Sequence, residues 1–181
     1  MYLLPLILLS MFASPSKTSL RIDFGQDADG QRWRVVNDGV MGGLSYGQAR
    51  LMEDKVLFQG EISLDNNGGF SSLRSPYGRF DLSQYKTVTI RLKTQGQGFA
   101  LQLYRSRVWY EPYLRHAIQA EEGEWTTVTI PLADFENTRV GRTNGQTARQ
   151  EWLANTIQLS FINTGKKAGP FILEVDYIEF R

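Results

Sequence analysis

An antiparallel jelly-roll β-sandwich is the fold this sequence predicts. Three observations carry it. Apolar and polar residues alternate with period two along most of the chain after residue 19, and the alternating runs meet at glycine- and asparagine-rich corners. Only one short stretch has a helical signature, so all-β architecture of the closed, two-sheet kind is expected.

The elements follow in order. Strands are expected at 20–24, 33–37, 45–52 and 55–63, with a turn at Asp54-Lys55. Two blocks interrupt them, Trp33-Arg34-Val35-Val36-Asn37-Asp38-Gly39-Val40-Met41-Gly42-Gly43-Leu44-Ser45 and the run from Phe58 through Asp65-Asn66-Asn67-Gly68-Gly69-Phe70 to Ser75. Glycine supplies positive φ and lets backbone pass close to backbone. Gly42, Gly43, Gly68 and Gly69 are therefore expected to be structural corners packed into the body beside Trp33, Met41 and Phe70. A strand at 69–75 leaves the second corner. Val88, Ile90 and Leu92 then alternate with Thr87, Thr89, Arg91 and Lys93, and Phe99, Leu101 and Leu103 alternate with Ala100, Gln102 and Tyr104. Turns at Gly96-Gln97-Gly98 and Glu122-Gly123 bracket a strand at 112–119. Val128 and Ile130 alternate with Thr127 and Thr129, after which the polar stretch 136–146 reads as a long loop. A helix is expected at 148–154, with capping-box spacing between Thr147 and Gln150 and Asn155 at its exit. Ile157, Leu159 and Phe161 form one more alternating strand, and 170–180 closes the chain.

A chain of 181 residues suits one domain, burying roughly 70% of its unfolded surface. It has no cysteine, which excludes disulfides, thiolate metal sites and cysteine nucleophiles. With 20 basic and 19 acidic residues the net charge is +1, so there is no general attraction to nucleic acid or anionic membranes. The start differs in kind. Tyr2 to Ala13 is apolar except for Ser10, and Ser14-Pro15-Ser16 offers small residues for cleavage before Lys17. The expectation is an export signal at 1–16 followed by one domain at 17–181, exported to the periplasm or secreted. The alternatives are an uncleaved anchor or a buried first strand. No transmembrane span is expected in the mature chain, and no lipid-anchoring cysteine follows the run.

Taken with the two glycine blocks, several later motifs occur in a characteristic order. They are Phe80-Asp81-Leu82-Ser83-Gln84-Tyr85, Arg91-Leu92-Lys93, Trp125-Thr126-Thr127-Val128, Pro131-Leu132-Ala133-Asp134-Phe135 and Gly169-Pro170-Phe171-Ile172-Leu173-Glu174-Val175-Asp176-Tyr177-Ile178. Across residues 22–180 the chain resembles the complex I intermediate-associated protein 30 family. The resemblance implies a galactose-binding-like sandwich and a non-catalytic role in assembling a respiratory complex. The chain departs from the family in lacking an Arg-rich transit segment and in carrying Gln95-Gly96-Gln97-Gly98 where the family has an acidic hairpin.

Several motifs match patterns found at chemical sites. Gly43-Leu44-Ser45-Tyr46-Gly47 fits the hydrolase pattern G-x-S-x-G, but that elbow needs a strand-to-helix turn and a base. Here it enters a strand, and the only histidine, His116, shares the core-facing parity of Leu114 and Ile118. Asp27-Ala28-Asp29-Gly30 resembles part of a calcium loop, yet Val36 falls where a bidentate glutamate should be. Asp23 and Asp176 stay open as calcium candidates beside the simpler reading of a metal-free polar turn. Glu111, Glu121, Glu122 and Glu124 read as solvated turns rather than as a glycosidase pair.

The exposed parity of strands 71–75, 85–93, 98–105 and 112–119 is instead basic, amide and aromatic. Arg74, Arg91, Gln102, Tyr104, Tyr113 and Arg115 are expected to share one face with Lys93 and Ser72, and Trp109 to adjoin it from a loop. The alternative is an ordinary solvated face. The expected function is a non-catalytic protein-binding module, an assembly factor or chaperone for a membrane (respiratory) complex, with no cofactor and no metal. An exported carbohydrate-binding module is the alternative, because the same sandwich serves both purposes.

Overall fold

A computed structural model describes residues 19–25 and 29–181. The expected leader, and Asp27 and Ala28 of the acidic turn, lie outside the described residues. The strands are β1 Leu20–Asp23, β2 Arg34–Asn37, β3 Tyr46–Leu51, β4 Val56–Ile62, β5 Ser71–Arg74, β6 Thr87–Gln95, β7 Phe99–Tyr104, β8 Tyr113–Ile118, β9 Thr126–Pro131, β10 Glu136–Arg139, β11 Arg142–Thr147, β12 Gln158–Asn163 and β13 Gly169–Phe180. The α-helix is α1, Gln150–Ala154.

The strands pair antiparallel into two sheets. Sheet I has six strands, ordered β3-β4-β13-β6-β9 with β1 paired to β13; sheet II has seven, ordered β11-β10-β8-β7-β12-β5-β2. This is the jelly-roll sandwich that the alternation predicts.

One strand organises sheet I. The 12 residues of β13 pair with β4 along one flank and with β6 along the other. Phe171, Leu173 and Val175 point into the core on odd positions, whereas Ile178 and Phe180 do so on even ones. The change of parity falls where the β13–β6 register shifts, between Val175 and Tyr177. A bulge of this kind inserts one residue, so a strand too long for one flat register keeps its apolar side inward throughout.

Aromatic rings fill the space between the sheets. Phe58 of β4 meets Phe171 of β13 at 4.9 Å and Phe99 of β7, in the other sheet, at 6.3 Å between centroids. Trp33 packs edge-on to Phe24 at 5.1 Å and stacks on Phe161 at 6.1 Å. Edge-to-face pairing adds a modest directional term to burial, which supplies most of the stability.

Two local expectations need correction. The stretch 136–146 is not a long loop but the hairpin β10–β11, turning at Val140 and Gly141, both at positive φ (46° and 73°). Every residue of β11 is exposed at the sheet edge, so this strand has no apolar face and leaves no period-two signal. The expected capping box is absent as well. Arg149 stands at the N-cap of α1 without a side-chain cap, while Asn155 does occupy the exit and donates from Nδ2 to Glu151 O at 2.7 Å.

Phe58→Ala should cost about 3–5 kcal/mol in equilibrium urea unfolding, because a ring touching both sheets leaves a cavity neither can close. A loss below about 1 kcal/mol would show that the two sheets do not interlock through it.

Candidate functional site

The outward face of sheet II carries most of the residues expected there. Strand register places Arg34, Arg74, Ser160, Gln102, Arg115 and Glu136 side by side, one from each of β2, β5, β12, β7, β8 and β10. A second row holds Gln158, Tyr104, Tyr113 and Thr138. The intervening residues Leu73, Leu101, Leu103, Leu114, Leu159 and Phe161 point the other way, into the core.

The rows are bonded to one another. Arg74 Nε donates to Ser72 Oγ at 3.0 Å, and its guanidinium lies 5.6 Å from the Tyr104 ring centroid. The Tyr104 hydroxyl donates to Gln102 Oε1 at 3.1 Å, and its ring packs 4.9 Å from that of Tyr113. Side chains laid across the face in this way leave Ser72 and Ser160 at 0% exposure and Gln102 at 1%. Burial pushes the Tyr104 phenol up to about 12, an effect that Arg74 and Arg115 oppose by favouring the phenolate.

Trp109 stands at the rim, in the connection from β7 to β8. It is 68% exposed and packs edge-on to Tyr110, with 5.7 Å between ring centroids. The loop's base is fixed from below. Arg105 Nη2 donates to Pro112 O at 3.3 Å and to Asn137 Oδ1 at 3.0 Å, and its guanidinium stacks 4.6 Å from the Trp152 ring. The β10–β11 turn is tied to the same loop. Arg139 Nε donates to Tyr110 O at 3.0 Å and Gly141 N to the Tyr113 hydroxyl at 3.3 Å, which ties the turn that carries exposed Val140 to the loop that carries exposed Val108 and Tyr110.

Arg91 does not join this face. Its strand, β6, pairs with β13 and β9 in sheet I, so Arg91 and Lys93 lie on the opposite side of the sandwich. There Arg91 pairs with Asp176 and its guanidinium lies 4.8 Å from the Trp125 ring. Parity along a strand says which residues point together but not which sheet the strand enters. Arg34 was missed in turn; its signal was the alternation of buried Trp33 with an outward Arg34 on the short run 33–37.

The glycine blocks meet at Asp38, which is fully buried. Its carboxylate accepts from Ser45 N at 2.9 Å, Ser45 Oγ at 2.5 Å, Gly69 N at 2.6 Å and Phe70 N at 3.1 Å. Gly42 and Gly69 have positive φ (87° and 127°), as expected of corners. Gly68 has negative φ (−68°), and Asn66 and Asn67 take left-handed conformations instead. Gly43 and Gly68 are needed for room, since a Cβ on either would collide with the Asp38 carboxylate. Burial, the largest effect on Asp38, raises its pKa, but the bonds from Ser45, Gly69 and Phe70 together outweigh it and hold the carboxyl below the ordinary 3.8.

The remaining motifs resolve locally. Ser45 Oγ is committed to Asp38 and also accepts from Ser63 N at 3.1 Å, while His116 packs its ring 5.5 Å from that of Phe135. The G-x-S-x-G segment is a structural corner. Asp23 accepts from Arg21 and from Gly25 N, and Asp176 is paired with Arg91. Among the described residues no group of at least three His, Cys, Asp or Glu side chains is arranged to hold a metal ion. An open depression of about 620 Å³ is lined by Gln119, Glu121, Glu124 and Trp125 among others.

The profile described as Complex I intermediate-associated protein 30 matches residues 22–175. No curated protein matches the chain. Among solved structures, the chain is similar to the family 11 carbohydrate-binding module from Clostridium thermocellum in complex with a β-1,3-1,4-mixed-linked tetrasaccharide, at 15% identity and TM-score 0.63, covering 90% of this chain and 94% of that one. A second structure, the family 11 module of the cellulosomal cellulase Lic26A-Cel5E of Clostridium thermocellum, matches at 15% identity and TM-score 0.59 over 82% and 86% of the two chains. The L4b domain of human laminin α-2 matches at 10% identity and TM-score 0.54 over 90% and 97%. At these identities the likeness is one of fold.

Because the folded-state pKa of Asp38 is depressed, its contribution to stability is present above the unfolded value near 3.8 and is lost as pH falls through the folded value. Asp38→Asn should therefore lower stability at neutral pH by about 2–4 kcal/mol and flatten the acid limb of a denaturation-versus-pH series. An unchanged acid limb would exclude Asp38 as its source.

Proposed function

The chain belongs to the complex I intermediate-associated protein 30 family, and on that premise we propose that it is a non-catalytic protein-binding module that assists assembly of a membrane-bound complex. The observation that carries this reading is the exposed group Val108, Trp109, Tyr110 and Val140, held in place beside the sheet II face. Trp, Tyr and Arg dominate the energetics of protein interfaces when they sit on a rigid support, and an apolar cluster rimmed by polar side chains marks a contact surface. Arg74, Gln102, Tyr104, Tyr113 and Arg115 extend that surface along the sheet. The hydroxyl and histidine that a hydrolase would use are both engaged in packing and structure, which supports a binding role over a catalytic one.

An exported location forms part of the proposal and rests on the apolar run Tyr2 to Ala13. Among the described residues no helix is long and apolar enough to cross a membrane. Carbohydrate binding is the second reading. It is favoured by the recessed polar floor of Gln102 and Ser160 beside Tyr104 and Tyr113, on a fold shared with carbohydrate-binding modules.

Affinity capture with the full chain and with its Trp109→Ala/Tyr110→Ala variant, run beside a glycan array, separates the two readings. The expected result is a protein retained by wild type that, remade recombinantly, binds the variant more weakly by on the order of 2–4 kcal/mol at an unchanged thermal midpoint. Glycan binding that is lost on Tyr104→Ala, with no protein retained, would overturn the protein reading in favour of the second.

A further inference from the structure

The two outer faces of the sandwich pair their cations to different degrees. On sheet I four cations are paired, Arg21 with Asp23 and Glu179, Lys55 with Glu174, Arg91 with Asp176, and Arg181 with Glu179, while Arg50 and Lys93 make no ion pair with a described residue. On sheet II, Arg34, Arg74 and Arg115 have no carboxylate of a described residue within the 4.0 Å of an ion pair. Arg34 and Arg74 are moreover direct cross-strand partners. Like charges opposite one another destabilise a strand pair. Glu136 is in register with Arg115, yet it makes no ion pair with it.

Between these arginines lies an amide with an unused donor. Gln102 is 1% exposed and its Oε1 is taken by the Tyr104 hydroxyl, which fixes the amide and leaves Nε2 without a hydrogen bond to any described residue. That amide nitrogen keeps access to solvent, so an incoming acceptor would take the place of water on it. Bare guanidiniums on both flanks and an unfilled amide between them define a site for carboxylates.

We propose that the sheet II face clamps an acidic polypeptide segment of the protein partner. The inference rests on the protein-binding reading and specifies the chemistry of that partner. Arg74 and Arg115 stand on strands β5 and β8, separated by β12 and β7, so their backbones are roughly 14 Å apart. An extended segment crossing the strands spans about 13 Å in four residues, which sets two acidic side chains about four positions apart onto the two arginines. Arg34, on the neighbouring strand, takes a further acidic group.

The aromatic geometry selects peptide over acidic sugar. Tyr104 and Tyr113 press against each other and Tyr113 is only 7% exposed, while Trp109 and Tyr110 stand at 85° to one another. Neither pair offers a flat open platform for a pyranose ring, whereas the Trp109 rim suits an apolar side chain of a peptide.

The test uses the full chain and fluorescence anisotropy with a labelled oligo-glutamate peptide, an oligo-glutamine peptide of equal length and polygalacturonate as competitor. Oligo-glutamate should bind, more weakly as salt rises, and the other two should neither bind nor displace it. Arg74→Gln and Arg115→Gln should each weaken binding by about fivefold or more, while Arg50→Gln, an exposed change on sheet I, should leave it unaltered. Arg34→Gln should weaken binding without lowering the thermal midpoint, since it relieves a like-charge pair. Absence of oligo-glutamate binding, an equal loss in Arg50→Gln, or displacement by polygalacturonate would overturn the proposal. If a captured partner still binds the Arg74→Gln/Arg115→Gln double variant but not the Trp109→Ala/Tyr110→Ala one, the acidic-segment assignment falls and the protein-binding reading stands.

Discussion

One buried carboxylate holds the two sheets in register at one end of the sandwich. Asp38 follows β2 of sheet II, and Ser45, which gives it both a backbone and a hydroxyl donor, leads into β3 of sheet I. Gly69 and Phe70 donate from the chain entering β5 of sheet II, and Ser45 in turn joins Ser63 at the end of β4. Asn163 extends the same network, accepting from Ser71 N and donating to Gly69 O from the end of β12. A buried charge is tolerated only when its bonding capacity is filled, and here backbone amides fill it. The glycines beside it are consequences: residues with a Cβ would not clear the carboxylate, and the chain could not turn back tightly enough to present its amides.

That fastening frees the remaining surface to differ on its two sides. With the strand ends locked, the sheet II face has no need of ion pairs to hold its shape, and hydrogen bonds from Arg74 to Ser72 and from Tyr104 to Gln102 order its side chains instead. Order of this kind lowers the entropy lost when a partner binds. The sheet I face, by contrast, holds all five ion pairs of the described residues, and its long strand β13 carries Glu174, Asp176 and Glu179 to meet Lys55, Arg91, Arg21 and Arg181. A net charge of +1 conceals this division, because summed charge carries no information about where charges lie.

The jelly-roll sandwich is shared with carbohydrate-binding modules and with a laminin domain at sequence identities where only the architecture is common. Architecture therefore constrains the shape of the available surface but not its ligand. What individualises this chain is side-chain chemistry on that surface, namely bare arginines, an amide with unused donors and an edge-on aromatic pair.

Alternation alone was enough to establish the sandwich, because period two is a local property of extended backbone and every central strand carries it. The glycine corners were legible for the same reason: positive φ and close approach are demands on single residues. The hairpin β10–β11 was not, since an edge strand exposed on both sides has no apolar face to betray it. Sheet membership was also beyond reach. Arg74 and Arg91 share outward parity, yet β5 and β6 enter different sheets, and only the long-range pairing of β6 with β13 separates the two arginines. Asp38 stood in plain view within the first block, but its role depends on donors from residues seven to thirty-two positions away. Local chemistry determines how each segment is built; which charges end up bare, and which carboxylate joins the corners, is decided by contacts between segments far apart in the chain.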